Sequence, residues 1–367
     1  MRAPSRPFAR QFPSVLTRSL WVPYAFLMGF RLRSNWGAIG MPISTKEVPP
    51  AVADSDLWPG GRLGPYRIEG VAARGGMATI FRATHEPTGR TVAVKVPHPE
   101  VERDPALVRH FLREFEIGRR LNHPGVVKYL DSGECGRLCI VMEWAEGRSL
   151  RQILSDAGRL APESAVRIAM AVCDALEYVH GRRVAHLDLK PENVVVDDRD
   201  RVTIVDFGAA TGGAFFMSGK PRQATGTPDY ISPEQVLGRR GDARSDIYAL
   251  GVMLYEMLTE TVPFSGSNPL AVMNDRLRNP PTPPRELNPA IPPELEEAVC
   301  RALERDPKRR YASVGEFARS LARPRDWRAP RRPAPVVSRT RRVLSYVALG
   351  MIPGTIFALL LYAASHQ

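Results

Sequence analysis

Residues 66–322 predict an α+β architecture in which a small sheet-rich lobe precedes a larger helical one. Three observations carry this expectation. Five short β-type runs come first along the chain, and helical periodicity dominates from Leu150 onward. A 367-residue chain with 44% hydrophobic and 25% charged residues also has ample material for a buried core, which excludes global disorder. The length suits one large domain or two smaller ones with appendages.

The β-type runs cover 66–71, 79–84, 90–96, 126–132 and 137–143. The run ending at Lys95 and Val96 alternates, so Val94 and Val96 should face away from Lys95. Between the third and fourth runs, Leu107, Val108, Phe111, Leu112, Phe115 and Ile117 recur at helical spacing and predict a helix over 105–121. Further helices are expected over 162–180 and 246–258. The lobes are accordingly placed at 66–145 and 146–322.

The flanks differ from this body. Residues 1–46 hold six arginines and Lys46 with no acid, and 323–342 hold eight arginines against Asp326. Removing both ends from the total of +12 leaves −2, so the body is nearly neutral. That distribution argues against a nucleic-acid-binding core and for basic flanks that are solvated or face a membrane. Residues 1–65 are read as an N-terminal extension. Its run 20–30 is too short to cross a bilayer, and Met41 offers an alternative start, so a start-site artefact, an interfacial anchor and a cleaved signal stay open.

Residues 323–342 form a basic Pro/Arg-rich linker, and 343–364 contain no charge. As a helix these 22 residues would reach roughly 33 Å at about 1.5 Å per residue, enough to span the hydrocarbon core. Gly350, Pro353 and Gly354 suit a membrane helix better than a soluble one. The alternative is a core helix. Arg339, Arg341 and Arg342 precede the span and Ser365, His366 and Gln367 follow it, so the positive-inside rule puts the large body in the cytoplasm. The expected localisation is a single-pass protein of the cytoplasmic membrane, with the bilayer as a partner. Cys135, Cys139, Cys173 and Cys300 form no CxxC pair and no zinc-spaced cluster. Neither a disulfide scaffold nor a metal finger is expected, and a reducing compartment fits.

Five strings carry the chemistry. In order they are RGGMATIF at 74–81, VAVK at 92–95, HLDLKPEN at 186–193, DFG at 206–208 and SPE at 232–234. Glycines in a hairpin let backbone N–H groups approach phosphates, and Asn and Asp supply the oxygen ligands that Mg2+ prefers. On these motifs the sequence resembles the eukaryotic-type (Hanks-type) protein kinase superfamily over 66–322, most closely its bacterial Ser/Thr branch. The resemblance implies a two-lobed protein-kinase-like fold, with a C-terminal transmembrane helix added by the apolar run.

It also implies roles. Asp188 is the catalytic base, Lys190 faces the γ-phosphate, and Thr227 bridges these two. Lys95 neutralises the α- and β-phosphates and pairs with Glu114, Glu116 being the nearby alternative. Asn193 and Asp206 hold Mg2+, with Mn2+ as its substitute. The nucleotide loop comprises Ala72, Ala73, Arg74, Gly75, Gly76, Met77, Ala78, Thr79 and Ile80, where alanines stand at the first and third glycine positions. Ala72, Ile80, Ala93, Met142, Ala145, Val195 and Val205 sandwich the adenine, with Met142 at the gatekeeper position, and backbone groups from Glu143 to Ala145 meet the base edge.

Glu234 is expected to pair with Arg310, and Asp246 to anchor the catalytic-loop backbone. Leu187 replaces the arginine that clamps a phosphorylated activation segment, so dependence on that switch should be lower. Thr211, Ser218 and Thr225 are candidate phosphosites. Gly118 falls where the family has an apolar spine residue. The expected function is transfer of the γ-phosphate of ATP to Ser/Thr hydroxyls of cytoplasmic proteins, with autophosphorylation included. Its rivals are a weakly active pseudokinase serving as a nucleotide-binding scaffold and a small-molecule phosphotransferase. The oligomeric state is open, with a homodimer admitted.

Overall fold

The structure is a computed structural model that describes residues 59–132, 135–211 and 228–322. The expected N-terminal extension up to residue 58, the linker 323–342, the apolar run 343–364, Thr227, Ser218 and Thr225 lie outside the described residues. Among the described residues no helix is long and apolar enough to cross a membrane.

The sheet-rich part is built from β1 (Arg62–Leu63), β2 (Tyr66–Arg74), β3 (Ala78–His85) and β4 (Arg90–Pro97), then α1 (Pro99–Arg103), α2 (Pro105–Gly118), β5 (Tyr129–Ser132) and β6 (Ile140–Glu143). Its strands form one antiparallel sheet in the order β1-β2-β3-β4-β6-β5. The period-2 alternation of β4 decides what each face carries. Val92, Val94 and Val96 enter an outer core with Leu63, Ile68, Phe81 and Val141, whereas Ala93 turns to the inner core with Met142 and Phe111. Lys95 shares the parity of Ala93 and thus the inner side, as the pattern predicts.

Several boundaries differ from expectation for local reasons. The sheet starts at Arg62, because Leu63 pairs with Tyr66 and is fully buried. The first strand continues past Val71 to Arg74, where the Gly75–Gly76 turn reverses it. Helix α2 begins behind Pro105, capped by the Asp104 carboxylate accepting from Ala106 N–H at 2.8 Å. It ends at Gly118, three residues before the expected Leu121. Val126 makes only an isolated bridge to Ile204, so β5 begins at Tyr129.

The cysteine spacing predicts no disulfide scaffold, yet one disulfide is present. Cys135 and Cys139 are bonded to one another. Gly136, at φ +72°, helps turn the chain before β6, and the two Cα atoms come within 6.4 Å, inside bridging range. Both cysteines are buried in the outer core, whereas Cys173 and Cys300 are free. Cysteine usage therefore no longer argues for a reducing compartment.

The helical part comprises β7 (Arg148–Ser149), α3 (Leu150–Ala157), α4 (Pro162–Gly181), β8 (Val194–Val196), β9 (Val202–Ile204), α5 (Pro233–Val236), α6 (Ala243–Thr259), α7 (Pro269–Arg278), α8 (Pro284–Leu287), α9 (Pro293–Ala302) and α10 (Val314–Leu321). A separate three-stranded antiparallel sheet in the order β7-β8-β9 pairs the strand before α3 with the two strands that follow α4. Helix α6 starts three residues before the expected Asp246, because Asp242 and Ser245 form a capping box. It is buried from Ser245 to Thr259 and forms the axis of this lobe.

The expected Glu234–Arg310 pair is present and bidentate, at 2.8 and 2.7 Å. Arg310 also donates to the carbonyls of Arg244 and Glu304, and Ser245 donates to Glu234. Burial would raise the Glu234 carboxyl, but hydrogen bonding and charge from Arg310 hold it below its ordinary 4.5. Arg310→Met should cost about 3–5 kcal/mol in denaturant unfolding, because it strands a buried carboxylate. A depressed carboxyl stabilises fully above its unfolded value and loses that stabilisation as pH falls through the folded one. The wild-type advantage over Arg310→Met should therefore narrow below about pH 4.5, and a gap independent of pH would contradict this account.

Candidate active site

Lys95 projects from the inner side of β4 and meets Glu114 on α2. Its Nζ donates to Glu114 Oε1 and Oε2 at 2.7 and 2.8 Å and to Asp206 Oδ1 at 2.8 Å. Glu116, the alternative partner, lies on the exposed face and is 3.7 Å from Arg120. Burial alone would push the Lys95 ammonium down, but Asp206 and then Glu114 raise it above its ordinary value. Asp206 moves oppositely: burial would raise it, and the Lys95 charge and hydrogen bond, aided by Lys190 and His186, hold it well below the carboxylate range. Glu114, only 3% exposed, is pushed above 4.5 by burial, which Lys95 only partly offsets.

The segment between α4 and β8 is fixed by one carboxylate. Asp246, fully buried on α6, accepts from the backbone N–H of His186 at 2.8 Å and of Leu187 at 2.7 Å, and contacts His180 Nε2 at 2.8 Å. Leu187 sits at φ +64°, a left-handed conformation that costs a branched residue about 1–2 kcal/mol. Gln235 holds it there from the other side by donating to its carbonyl at 3.0 Å. His186 Nδ1 accepts from Asp188 N–H, so Nε2 carries the proton donated to Val205 O.

This frame presents Asp188, whose Oδ2 accepts from Lys190 Nζ at 2.6 Å. Asn193 donates through Nδ2 to Asp188 O at 2.8 Å, which fixes its amide plane, and its backbone carbonyl accepts from Val205 N–H at 2.9 Å. Asp206 is also left-handed, at φ +64°, with Gly208 N–H donating to its Oδ1 at 3.2 Å. Phe207 is fully buried, with its ring centroid 4.8 Å from that of His186.

A magnesium ion fits this donor set. Asp206 and Asn193 offer hard oxygen ligands close in the fold, and no group of three or more His, Cys, Asp or Glu suited to a metal occurs among the described residues. Two protein ligands with the remaining positions left to water and phosphate is how Mg2+ is commonly held.

The other expected residues divide by exposure. Ala72, Ala73, Arg74, Gly75 and Gly76 line the exposed turn of the β2–β3 hairpin, closed by Gly75 N–H donating to Ala78 O at 2.9 Å. Met77 is half-buried. The Ala78 side chain instead lies in the core, and Thr79 Oγ1 is 3.2 Å from His98 Nε2. Ala93 and Met142 are buried, and Ile80 and Val205 pack partly buried on the same core; Val195 and Ala145 are half-buried. The Glu143 N–H is committed to Lys128 O, so it is not a donor for a base edge. Sequence reasoning missed Tyr129, whose hydroxyl reaches both Glu114 and Phe207; the glycine at 118 was the signal that pointed to it.

Residues 66–321 match the family model described as the protein kinase domain. A probable serine/threonine-protein kinase of Streptomyces coelicolor is 38% identical over 261 residues, covering 69% of this chain and 39% of that protein. Serine/threonine-protein kinase PknB of Mycolicibacterium smegmatis is 37% identical over 275 residues, covering 73% of this chain and 44% of that protein. The chain thus spans less than half the length of these curated relatives. The crystal structure of the Mycobacterium tuberculosis PknI kinase domain superposes with a TM-score of 0.58 at 28% identity, covering 72% of this chain and 98% of that one. With the family match, the relatives and the assembled cleft in agreement, this chain belongs to the protein kinase domain family.

Proposed function

We propose that the chain is a membrane-tethered Ser/Thr protein kinase that transfers the γ-phosphate of Mg-ATP to protein hydroxyls, its own included. The observation that carries this reading is the buried Lys95 ammonium shared between Glu114 and Asp206, with Asp188, Lys190 and Asn193 on the adjoining loop. A polyanion entering the cleft meets a lysine already oriented by Glu114, so little reorganisation is needed. Asp188 positions the substrate hydroxyl and accepts its proton as the new O–P bond forms and the bond to the ADP oxygen breaks. Lys190, held on Asp188, offsets charge on the transferred group, and the resemblance has Thr227 bridge these two residues. Mg2+ bound by Asp206 and Asn193 would supply charge neutralisation at the phosphates. Ala93, Met142, Ile80, Val195 and Val205 would sandwich the base, with its edge meeting backbone groups within 143–145.

A weakly active nucleotide-binding scaffold is the rival reading, resting on Ala73, Ala78, Leu187 and Gly118. The domain limits, the arginine collar at 323–342 and a transmembrane helix over 343–364 complete the proposal, with the kinase body in the cytoplasm. Deleting 343–367 should move the protein from the membrane fraction to the soluble fraction, and an unchanged distribution would sink the tether.

Phosphate incorporation into a protein substrate should fall about 10²–10⁴-fold in Asp188→Asn and about 10²–10³-fold in Lys95→Met. Equal incorporation by all three proteins would reject the enzyme and favour the scaffold. Because burial raises Glu114, its carboxyl protonates at higher pH than an ordinary glutamate and then releases Lys95. Mg-ATP binding should therefore weaken on acidification at a higher pH than an ordinary glutamate would dictate, whereas Glu114→Gln should bind weakly throughout and lack that acid limb. The same limb in both proteins would exclude Glu114 as its source.

A further inference from the structure

We propose that Tyr129 is a positioning residue that ties the Glu114 helix to the Asp206–Phe207–Gly208 turn, and that residue 118 is glycine so that the tyrosine can do so. The inference rests on the kinase reading for its purpose, but not for its geometry. Tyr129 opens β5 and is 5% exposed. A Cβ placed on Gly118 would lie 2.3 Å from Tyr129 Cε2, 2.4 Å from Cδ2 and 2.6 Å from Cζ. No side chain fits there while the ring is present. The ring thus occupies the space that a side chain at 118 would fill, one helical turn beyond Glu114.

That placement gives the hydroxyl a task no apolar residue performs. It donates to Glu114 Oε1 at 3.3 Å and accepts the backbone N–H of Phe207 at 3.3 Å. Glu114 holds Lys95, Lys95 holds Asp206, and Asp206 is the residue before Phe207. A closed ring of contacts results: ammonium, helix carboxylate, phenol, backbone amide, second carboxylate. Burial, with the charges of Glu114 and Asp206 adding to it, pushes the phenol well above its ordinary value, so it stays a donor across the physiological range. Both bonds lie at the long end of the hydrogen-bond range, so each is modest, and their value lies in coupling α2 to the turn.

Removing the hydroxyl should lower the population of the assembled arrangement without emptying the core. Nucleotide binding would then have to draw the pieces together, and its apparent affinity should fall by the populated fraction. Tyr129→Phe in the full chain should bind Mg-ATP about tenfold more weakly, the low end of what a hydrogen bond to a charged group contributes. Its thermal midpoint and its kcat at saturating ATP should stay near wild type. A packing role alone, which the phenylalanine ring still fills, would leave both the midpoint and the affinity unchanged.

The glycine is tested separately. Gly118→Leu should lower the thermal midpoint sharply, and adding Tyr129→Leu should restore the midpoint while leaving Mg-ATP binding as weak as in Tyr129→Phe. Wild-type affinity in Tyr129→Phe overturns the positioning role, and a Gly118→Leu protein no less stable than the double variant overturns the spatial exchange. Equilibrium Mg-ATP binding and thermal midpoints read both claims even if the wild type transfers no phosphate, which would be a failure of the kinase reading alone.

Discussion

The buried ammonium of Lys95 is the constraint on which the rest of the cleft depends. Taking a charge of this kind out of water costs several kcal/mol unless opposite charges meet it with good geometry. Glu114 and Asp206 do so from two other elements, all three contacts being 2.8 Å or shorter. Three pieces of chain must therefore arrive together: β4 in the register that turns Lys95 inward, α2 with Glu114 facing the sheet, and the turn after β9. A one-residue slip of β4 would send Lys95 into the outer core among Phe81 and Val141 and bring Val94 or Val96 inward. The valines that fill the outer core thus specify where the lysine points.

A second buried charge performs the same service for the loop carrying Asp188. Asp246 is anchored on the most deeply buried helix and reads no substrate; its oxygens are spent on two backbone amides and His180. Such bonds can hold Leu187 left-handed because the donors are backbone groups whose positions define the loop's path. Glu234 and Arg310 repeat the arrangement elsewhere in the helical lobe. In each case a charge is buried together with its partners, and an element otherwise free to shift is fixed in place.

The sequence made the chemistry legible and the joints illegible. The ordered motifs, through the resemblance they carry, singled out Lys95, Glu114, Asp188, Asn193 and Asp206, and the structure brings Lys95, Glu114 and Asp206 into contact and joins Asn193 to Asp188. Helix α6 was expected to begin at Asp246, since the apolar period starts there, whereas the capping box at Asp242 adds a polar first turn. The Cys135–Cys139 bond escaped notice because a C-x3-C spacing becomes a cross-link only when a turn folds it back. Tyr129 falls within the β-type run 126–132 with nothing in that run to single it out. Its meaning lies across the fold, at Gly118 and Phe207, and no local period reports a contact 78 residues away.

Leu187 shows how an apparent loss is accommodated. An arginine here would offer a cation to a phosphate on a distant segment and would need that phosphate to order both. The leucine side chain instead fills the space over Gly241, where an added Cβ would come within 2.8 Å of its Cδ2. Gln235 and Asp246 grip its carbonyl and amide from α5 and α6. The loop is thereby held by contacts internal to the helical lobe, which exist with or without a modification elsewhere. In the upper lobe the Tyr129 hydroxyl adds the corresponding internal tie between α2 and the turn bearing Asp206. Each is a contact internal to the fold, one made by a leucine where the resemblance has an arginine and the other by a phenol facing a glycine.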